Sequence, residues 1–458
     1  MRLSKLVIPD LDRMLDQEPD VLSDALGAFH PEDLAEIVQE LAPERATELV
    51  RALSPELAAD VLERLSEELR VHIIQTLGPV QSAGLVSEMD ADDRADLVQE
   101  LPEDLREEVL AQVREQQPDV AEELRVLTSY PEDTAGGLMT TEYLALWPEL
   151  SVAEAIDEVR ASRERDLETV YYIYVVAYDK LVGVLSLRDL ILASPEAKLS
   201  EVMTDQQVVT VEAAMDQEEV ARKIARYDFS AMPVVDAQGH MLGVVTVDDV
   251  VDVVIDEATE DAHMMAAVVP IEESYFQTNF FAFMRSRITW LIVLFVGELL
   301  TASVMDAYEH QLSAVMDLVL FVPLIISSGG NSGSQSSSLI IRGLALGEIH
   351  PRDWPRVMGR ELGMGLSLGG VLGVVGYVRS YVDGGIEYPL AMASTVALSI
   401  VAVVTLGTLV GSLMPLAIKR VGLDPAVSST PFVASLVDVL GLVVYFTVAR
   451  LMFANLLP

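Results

Sequence analysis

The amino-acid sequence predicts a multidomain membrane protein that is α-helical at both ends and α/β in between. Three observations support this fold class. Residues 1–270 hold 59 acidic against 20 basic side chains, whereas residues 271–458 hold 13 against 10 and are strongly apolar. Two internal repeats fill the acidic part, and long apolar stretches fill the other. An acidic, water-soluble part therefore precedes an all-α transmembrane part.

Composition narrows the classes of function. The chain carries a net charge of −42 and has no cysteine, so disulfides and thiolate metal sites are excluded. Such an acidic surface repels nucleic acid and attracts divalent cations, so no nucleic-acid partner is expected. Adaptation to a salty cytoplasm is an alternative cause, because only 5 of the 30 basic residues are lysine. The first residues lack the apolar core of a secretory signal, so the acidic part is expected in the cytosol.

Residues 1–130 contain a 12-residue repeat with the features of short helices. Its units start at an apolar residue and continue with Pro, Ser or Asp, which suit the N-cap or first turn of a helix. Apolar residues then follow at helical spacing, so each unit can bury one face against its neighbours. The repeat predicts an acidic superhelical N-domain, which is more typical of regulation than of catalysis. The repeated apolar positions are Leu41, Leu53, Leu65, Leu77, Met89 and Leu101.

A second repeat, with a period of about 60 residues, fills 131–258. GLMT at 137–140 recurs as EVMT at 201–204, and LVGVLSLRDLI at 181–191 recurs as MLGVVTVDDVV at 241–251. The order strand, helix, strand, strand, helix around these motifs resembles a pair of CBS domains, at 131–199 and 200–258. The resemblance implies a site for an adenine nucleotide, whose ribose is held by a hydroxyl and an Asp three residues later.

Two pairs of residues in this repeat have that hydroxyl and carboxylate spacing. For Ser186 and Asp189, plain helix capping is the preferred interpretation, because Arg188 stands between them. For Thr246 and Asp249, capping and nucleotide binding are equally good interpretations, and this pair is the predicted cofactor site. Whether ATP binds the pair of domains is left open by the residues.

Acidic residues crowd two places before the membrane part. Asp90, Asp92, Asp93 and Asp96 crowd one turn of the N-domain, and most acids crowded on a helix are simply solvated. A larger group occurs at helical spacing around residue 255, where neighbouring carboxylates repel one another. A divalent cation shared between them would relieve the repulsion and make a switch, which monovalent salt could imitate less specifically. This second group comprises Asp248, Asp249, Asp252, Asp256, Glu257, Glu260 and Asp261.

Residues 259–287 are predicted to connect the soluble part to the membrane. The stretch 274–287 is aromatic and ends in Arg285 and Arg287, which predicts a helix near the membrane surface. Eight Lys and Arg flank the spans on one side and two on the other, which places the soluble part in the cytosol and the C-terminus outside. Five apolar spans are predicted within 288–458, at 288–306, 315–341, 359–380, 389–418 and 431–454.

The fifth span carries a carboxylate, Asp438, inside an otherwise apolar run. An ionisable side chain at membrane depth is costly unless it faces water, a cation or a partner, so Asp438 is expected to line a cation path. The alternative is a protonated Asp that hydrogen-bonds a neighbouring helix. In the second span, glycines and serines favour close helix packing, whereas Asn331 and Gln335, four apart on one face, favour a pore lining.

The whole arrangement resembles the MgtE family of magnesium channels. The resemblance covers nearly the whole chain and is carried by the domain order, by GGNSGSQ in the second span and by DPAVSSTPFVASLVDVLGL at the fifth. It implies a homodimer whose pore lies between the subunits and is lined by the second and fifth spans, with Asp438 and Ala434 at the pore ion. Ser334 and Thr430 stand where the family often has Asn, which leaves the finer pore contacts undetermined.

The same resemblance implies regulatory Mg²⁺ sites. They would involve Asp92, Asp93 and Asp96 of the N-domain and the acids from Asp248 to Asp261. The prediction is a dimeric Mg²⁺ channel in the lipid of the bacterial inner membrane, closed when cytosolic Mg²⁺ bridges the N-domain, the CBS domains and the connecting helices. Mg²⁺ loses water reluctantly, so two copies of Asp438 would attract the hydrated ion without trapping it.

Other classes of function stay open. The main alternative is a nucleotide-sensing CBS membrane protein that transports nothing. An anion channel is disfavoured, because the spans hold a carboxylate with no basic partner. An enzyme is not expected, because no nucleophile is paired with a base in the sequence.

Overall fold

The computed structural model describes the chain as two compact units, Met1–Ile255 and Asp256–Pro458. The first unit contains a helical array followed by two small sheets, and the second is helical. The described residues are 8, 11, 15–16, 26–162, 167, 170–205, 208–271, 275, 278–308, 315–383, 386 and 388–454.

Eight helices fill residues 31–127, within the stretch 26–162 that is described without a gap. Five of them begin with proline, whose missing N–H costs nothing at a first helical position. Ser54 caps the third helix by accepting the N–H of Leu57 at 3.4 Å. The predicted helical N-domain is confirmed. The helices are α1 (Pro31–Glu40), α2 (Pro43–Ala52), α3 (Pro55–Glu63), α4 (Glu67–Leu77), α5 (Pro79–Val86), α6 (Ala91–Glu100), α7 (Glu103–Gln116) and α8 (Pro118–Leu127).

The described strands form two three-stranded sheets, ordered β1-β2-β3 and β4-β5-β6. In each sheet the first pair of strands is parallel and the second pair is antiparallel. The strands and helices follow the order that the 60-residue repeat predicts. They are β1 (Ala145–Leu146), α9 (Val152–Ala161), β2 (Tyr172–Ala177), β3 (Lys180–Ser186), α10 (Leu187–Leu192), α11 (Leu199–Val202), β4 (Val211–Glu212), α12 (Gln217–Tyr227), β5 (Ala231–Val235), β6 (Met241–Thr246) and α13 (Val247–Met265).

The helical array and the second sheet share one apolar core. It runs from Leu34 through Val98 to residues such as Val234 and Val250 of the second repeat. Backbone hydrogen bonds reinforce the junction, with Ala135 N–H donating to the carbonyl of Met215 at 2.7 Å. A Cβ atom at Gly137 would lie 2.4 Å from the backbone oxygen of Pro131, so the tight turn that follows the N-domain requires glycine. The N-domain is therefore fixed directly on the second repeat.

Long helices dominate the second unit: α14 (Phe280–Ala307), α15 (Leu318–Ala345), α16 (Trp354–Val382), α17 (Pro389–Arg420) and α18 (Thr430–Met452). Four described stretches are long and apolar enough to cross a membrane, namely α14, Pro351–Val382 with α16 inside it, α17 and α18. α15 has 28 residues, but its middle is a run of Gly, Ser, Asn and Gln. The count of five spans therefore stays a prediction.

The first long helix differs from the sequence prediction. A separate surface helix was expected at 274–287, with the first span beginning at 288. Instead, α14 is one helix from Phe280 through Ala307, because the sequence has no Gly or Pro between Phe280 and Val296 to interrupt it. Residues 272–274 and 276–277 lie outside the described part. Arg285 and Arg287 thus belong to the same helix as the first apolar span.

Glycines bring α15 and α17 into backbone contact. A Cβ atom at Gly407 would lie 2.4 Å from the carbonyl oxygen of Gly329, and one at Gly411 would lie 2.1 Å from that of Gly333. Four-residue spacing on both helices places these glycines on facing sides. The glycines of the second span therefore pack closely against α17, as one interpretation predicts, while Asn331 and Gln335 are exposed and their place in a pore lining stays a prediction.

Replacing Gly411 should destabilise the membrane unit. Gly411→Ala forces α15 and α17 apart and should cost on the order of 1–3 kcal/mol, the usual penalty for overpacking. Gly370→Ala is the matched control, because nothing lies within 4 Å of a Cβ atom there. Thermal unfolding of the full chain in detergent should show a lower Tm for Gly411→Ala alone. Equal Tm values for both variants would contradict the close packing.

Candidate cation sites

Three carboxylates of the N-domain converge on one point. Glu63 ends α3, Asp90 is the N-cap of α6 and Asp93 lies in its first turn. One oxygen from each lies within 4.8 Å of the others, which is close enough to share a metal ion. The backbone N–H of Asp90 also donates to Glu63 Oε1 at 3.2 Å. We call Glu63, Asp90 and Asp93 the acidic triad.

Burial and like charge strain this region electrostatically. Burial first, and then the charges of Glu63, Asp249, Asp96 and Asp90, together raise the pKa of Asp93 to about 8. Burial also raises the pKa of Asp96 to about 7, with Glu100 and Asp249 adding to the effect and Arg70 opposing it. Negative charge is therefore costly here without a cation, which a divalent ion would supply.

Asp249, which belongs to the second repeat, interacts electrostatically with the acids of the N-domain. Burial first, and then the charges of Asp248 and Asp252, together raise its pKa to about 6. Thr246 Oγ1 donates to Asp249 Oδ2 at 2.5 Å, which opposes this rise. The charge of Asp249 raises the pKa of both Asp93 and Asp96, so the three carboxyl groups form one electrostatic group.

The other sequence-predicted acids are placed differently. Asp92 is buried, at 8% exposure, and is not part of the acidic triad. Asp248, Asp252 and Asp256 are exposed on α13, while Glu257, Glu260 and Asp261 are half-buried on it. The structure thus brings Asp93, Asp96 and Asp249 together and leaves Asp248 and Asp252 at the edge of the group.

Glu63 and Arg94 are functional candidates that were not predicted. Glu63 ends a repeat unit, and its partners come from a distant unit, so a local pattern gives no signal for it. Arg94 is buried, at 5% exposure, and donates to Glu123 and Glu142 at 2.9 Å each. It also donates to the carbonyl of Met89 at 2.6 Å, which fixes the start of α6 beside the triad. A basic residue among four acids was the available signal.

A cavity of about 170 Å³ opens between the two CBS-like repeats. Its walls combine aromatic rings with a hydroxyl and a carboxylate, and include Tyr172, Ser186, Asp189, Thr204, Phe229 and Pro233. Ser186 caps α10 by accepting the N–H of Asp189 at 3.1 Å, as expected, and it also lines the cavity. Thr246 and Asp249 are not among the described residues that line it.

In the membrane unit, Asp438 lies where α18 meets α15. A Cβ atom at Gly330 would lie 3.3 Å from Asp438 Oδ1 and 3.6 Å from Ala434 Cβ, so glycine leaves room for the carboxylate. Asp438 is half-buried, and the next residue of α15, Asn331, is exposed. The predicted pore residues Asp438 and Ala434 thus face the polar second span.

A second carboxylate lies near Asp438 and was not predicted. Glu298 of α14 interacts electrostatically with Asp438. Ser435, one turn before Asp438, donates its hydroxyl to Glu298 Oε1 at 3.4 Å. The signal was present in the sequence, because Glu298 interrupts an apolar run as Asp438 does.

Hydrogen bonds between hydroxyls and carbonyls tie the start of α18 to its neighbours. Thr430 Oγ1 donates to the carbonyl of Met265, the last residue of α13, at 3.1 Å. Ser334 of α15 donates to the carbonyl of Thr430 at 3.2 Å. The two positions where the chain departs from the expected Asn therefore meet each other and the end of α13.

An acidic soluble unit with a candidate cation site, joined to apolar helices that carry carboxylates, defines a membrane transport protein for cations. Family models match most of the chain. "MgtE intracellular N domain" matches residues 29–133, "CBS domain" matches 135–196 and 199–256, and "Divalent cation transporter", the MgtE model, matches 322–448. The chain belongs to the MgtE family and is a membrane transporter with an intracellular N-domain.

Named relatives agree with this assignment. The "Magnesium transporter MgtE" of Thermus thermophilus is 42% identical over 336 residues, 73% of each chain. That of Bacillus subtilis is 34% identical over 331 residues, 72% of each chain. The crystal structure of "the soluble part of a magnesium transporter" is 30% identical and has a TM-score of 0.50, covering 56% of this chain and 99% of that one.

Proposed function

We propose that this protein transports Mg²⁺ through the membrane past Asp438, and that Mg²⁺ on the N-domain side closes the path. Both named relatives are magnesium transporters, and the family model describes divalent cation transport. The regulatory half of this proposal is supported by the acidic triad, whose carboxylate oxygens lie within 4.8 Å of one another.

The path past Asp438 suits a hydrated ion. Mg²⁺ keeps several waters and is usually bound through one or two carboxylates. Asp438 presents its carboxylate beside Gly330, next to the exposed amides of Asn331 and Gln335. Such a site attracts the ion through its water shell and also lets it leave, which conduction requires.

Closure follows from the charges on the two domains of the first unit. The triad belongs to the N-domain, whereas Asp249 belongs to the second repeat, with Asp248 and Asp252 beside it. Without a cation these carboxylates repel, which weakens the contact between the domains. Mg²⁺ bound by the triad and by Asp96 and Asp249 makes the contact favourable. Binding therefore stabilises the joined form, by the linkage between a ligand and the state that binds it.

α13 is the route from these acids to the membrane helices. It is continuous from Val247 to Met265, so Asp249 lies near its start, and Thr430 of α18 holds its end. A helix transmits displacement along its axis with little loss, because its backbone hydrogen bonds are internal. Movement of the acids on α13 thereby reaches the N-terminus of the helix that carries Asp438.

The assembly and orientation are part of the proposal. We place the protein as a homodimer in the lipid of the bacterial inner membrane, with its C-terminus outside. The excess of Lys and Arg on the flanks that adjoin the soluble domains supports this orientation. α14 supports contact with lipid or a second copy, because none of its most apolar window is buried within the chain.

The cavity in the CBS-like pair supports a second function, binding of an adenine nucleotide. Tyr172 and Phe229 make an edge-to-face contact at 6.5 Å and offer ring faces to a base. Ser186 and Asp189 offer a hydroxyl and a carboxylate to the ribose diol. The nucleotide is therefore assigned to this cavity, while Asp249 serves the acidic group.

Removing the carboxylate at 438 should abolish transport. Asp438→Ala, reconstituted as the full chain in liposomes, should lose Mg²⁺ uptake measured with an internal indicator, because nothing replaces its attraction for the ion. Asp306→Ala, at an exposed acid near the end of α14, is the control and should transport normally. Undiminished Mg²⁺ uptake by a folded Asp438→Ala variant would contradict the proposed path past Asp438. A folded wild-type protein without flux would favour the nucleotide sensor.

Neutralising Asp93 should make the thermal stability of the protein depend less on Mg²⁺. At about pH 8, Asp93→Asn removes a disfavoured charge and should raise the Tm of the Mg²⁺-free protein by about 2–4 °C. It should also shrink the rise in Tm caused by millimolar Mg²⁺ and leave uptake less inhibited by Mg²⁺ on the N-domain side. Asp104→Asn is matched, because Asp104 is an exposed acid in the first turn of α7. An unchanged response to Mg²⁺ in Asp93→Asn would refute the regulatory site.

The nucleotide assignment can be tested by comparing two variants. Asp189→Ala should weaken ATP binding, measured by calorimetry without Mg²⁺, by on the order of tenfold, because the ribose loses an acceptor. Asp249→Asn should leave ATP affinity unchanged. The opposite pattern would assign the nucleotide to Thr246 and Asp249 instead.

A further inference from the structure

We infer that Glu298 is a second carboxylate of the ion path, acting with Asp438 to select divalent over monovalent cations. The inference rests on the proposed transport function and adds a residue that sets its specificity. It starts from an acid on the first long helix, whereas the expected pore consists of the second and fifth spans.

Glu298 lies deep in the apolar part of α14. The helix is continuous over 28 residues, and Glu298 follows Arg287 by 11 residues, which is about 16 Å along the axis. Ala307, at the other end of the helix, is nine positions further along the chain. A carboxylate at that depth is costly unless it faces water, a cation or a partner. Its position therefore requires an explanation.

No basic side chain is available nearby in the sequence to balance this acid. The stretch 288–341, which contains most of α14 and α15, has no Lys or Arg, and neither has 421–449, which contains most of α18. Glu298 and Asp438 interact electrostatically, so two like charges approach the same place. Either protons or passing cations must balance them.

The local contacts suit a charged Glu298. Ser435 donates its hydroxyl to Glu298 Oε1, so the carboxylate accepts and needs no proton for this bond. α14 approaches α18 closely there, since a Cβ atom at Gly297 would lie 3.7 Å from Ser435 Cβ. Ser435 and Asp438 are one helical turn apart and are therefore neighbours on α18. Glu298 reaches the polar side of α18 on which Asp438 lies.

Two carboxylates favour a doubly charged ion. The Coulomb energy scales with the product of the charges, so each acid attracts Mg²⁺ twice as strongly as it attracts Na⁺ or K⁺ at the same distance. A second acid enlarges that difference, while a hydrated ion contacts both through water and can still leave. A purely structural role, with Glu298 bridging two helices by its hydrogen bond to Ser435, needs no charge.

The charge and the hydrogen bond are separated by Glu298→Gln. The full chain in liposomes is assayed for Mg²⁺ uptake against Mg²⁺ concentration, with and without excess K⁺, and for K⁺ flux. Glu298→Gln should raise the KM for Mg²⁺ by on the order of tenfold and admit K⁺, with Vmax little changed. Glu298→Asp should retain most of the selectivity. Glu348→Gln, at an exposed acid beyond α15, is the matched control.

The outcomes separate this inference from the transport proposal. If folded Glu298→Gln keeps the wild-type KM and excludes K⁺ while Asp438→Ala abolishes uptake, Glu298 is structural and the inference fails alone. If Asp438→Ala also transports normally, the transport path itself fails. If Glu298→Gln only lowers Vmax and Tm, as a lost helix contact would, the selectivity role is likewise overturned.

Discussion

Repulsion between half-buried carboxylates is the constraint on which the soluble unit depends. Glu63, Asp93 and Asp249 come from three different helices, so their proximity is set by the packing of the N-domain on the second repeat. The apolar core that joins these two parts supplies the free energy that holds the like charges near one another. Arg70 and Arg94 do not remove the strain, because Arg70 is engaged by Glu100 and Arg94 by Glu123 and Glu142. A divalent cation would relieve the repulsion that remains when these carboxyls ionise.

The acidic triad and the carboxylates of the membrane helices differ as their proposed functions require. The triad gathers several carboxylates at one point, where they can give a divalent ion a long residence and a stable bound state. The membrane helices offer Asp438 and Glu298 from different helices, beside glycine and amides rather than further acids. Fewer charges mean weaker binding, and weaker binding allows passage. In this proposal, sensing and conduction use the same carboxylate chemistry at different densities of charge.

Local patterns predicted most of the helices and strands, because the 12-residue and 60-residue repeats and the apolar runs specify which face each element buries. They could not place Glu63, whose partners come from a distant helix. They also could not distinguish the roles of Ser186 and Thr246, because each hydroxyl bonds an Asp three residues later. Only tertiary packing places Ser186 in the cavity and Thr246 beside the acids. Glu298, in contrast, could have been predicted from the sequence. It interrupts an apolar run as Asp438 does, and an ionisable side chain at membrane depth is costly.

In the proposed regulation, the hydrogen bond between Thr430 and Met265 links α13 to the helix that carries Asp438. A neutral hydrogen bond of this kind contributes only about 1 kcal/mol net, so the contact with Met265 can break and reform. Ser334 bonds the carbonyl of the same threonine, which couples α15 to the start of α18 at that point. Because α15 also contacts α17 through backbone and glycine, α15 cannot follow α18 without disturbing that packing. In the proposed regulation, a displacement of α13 would therefore act first on the N-terminus of α18, about two turns from Asp438.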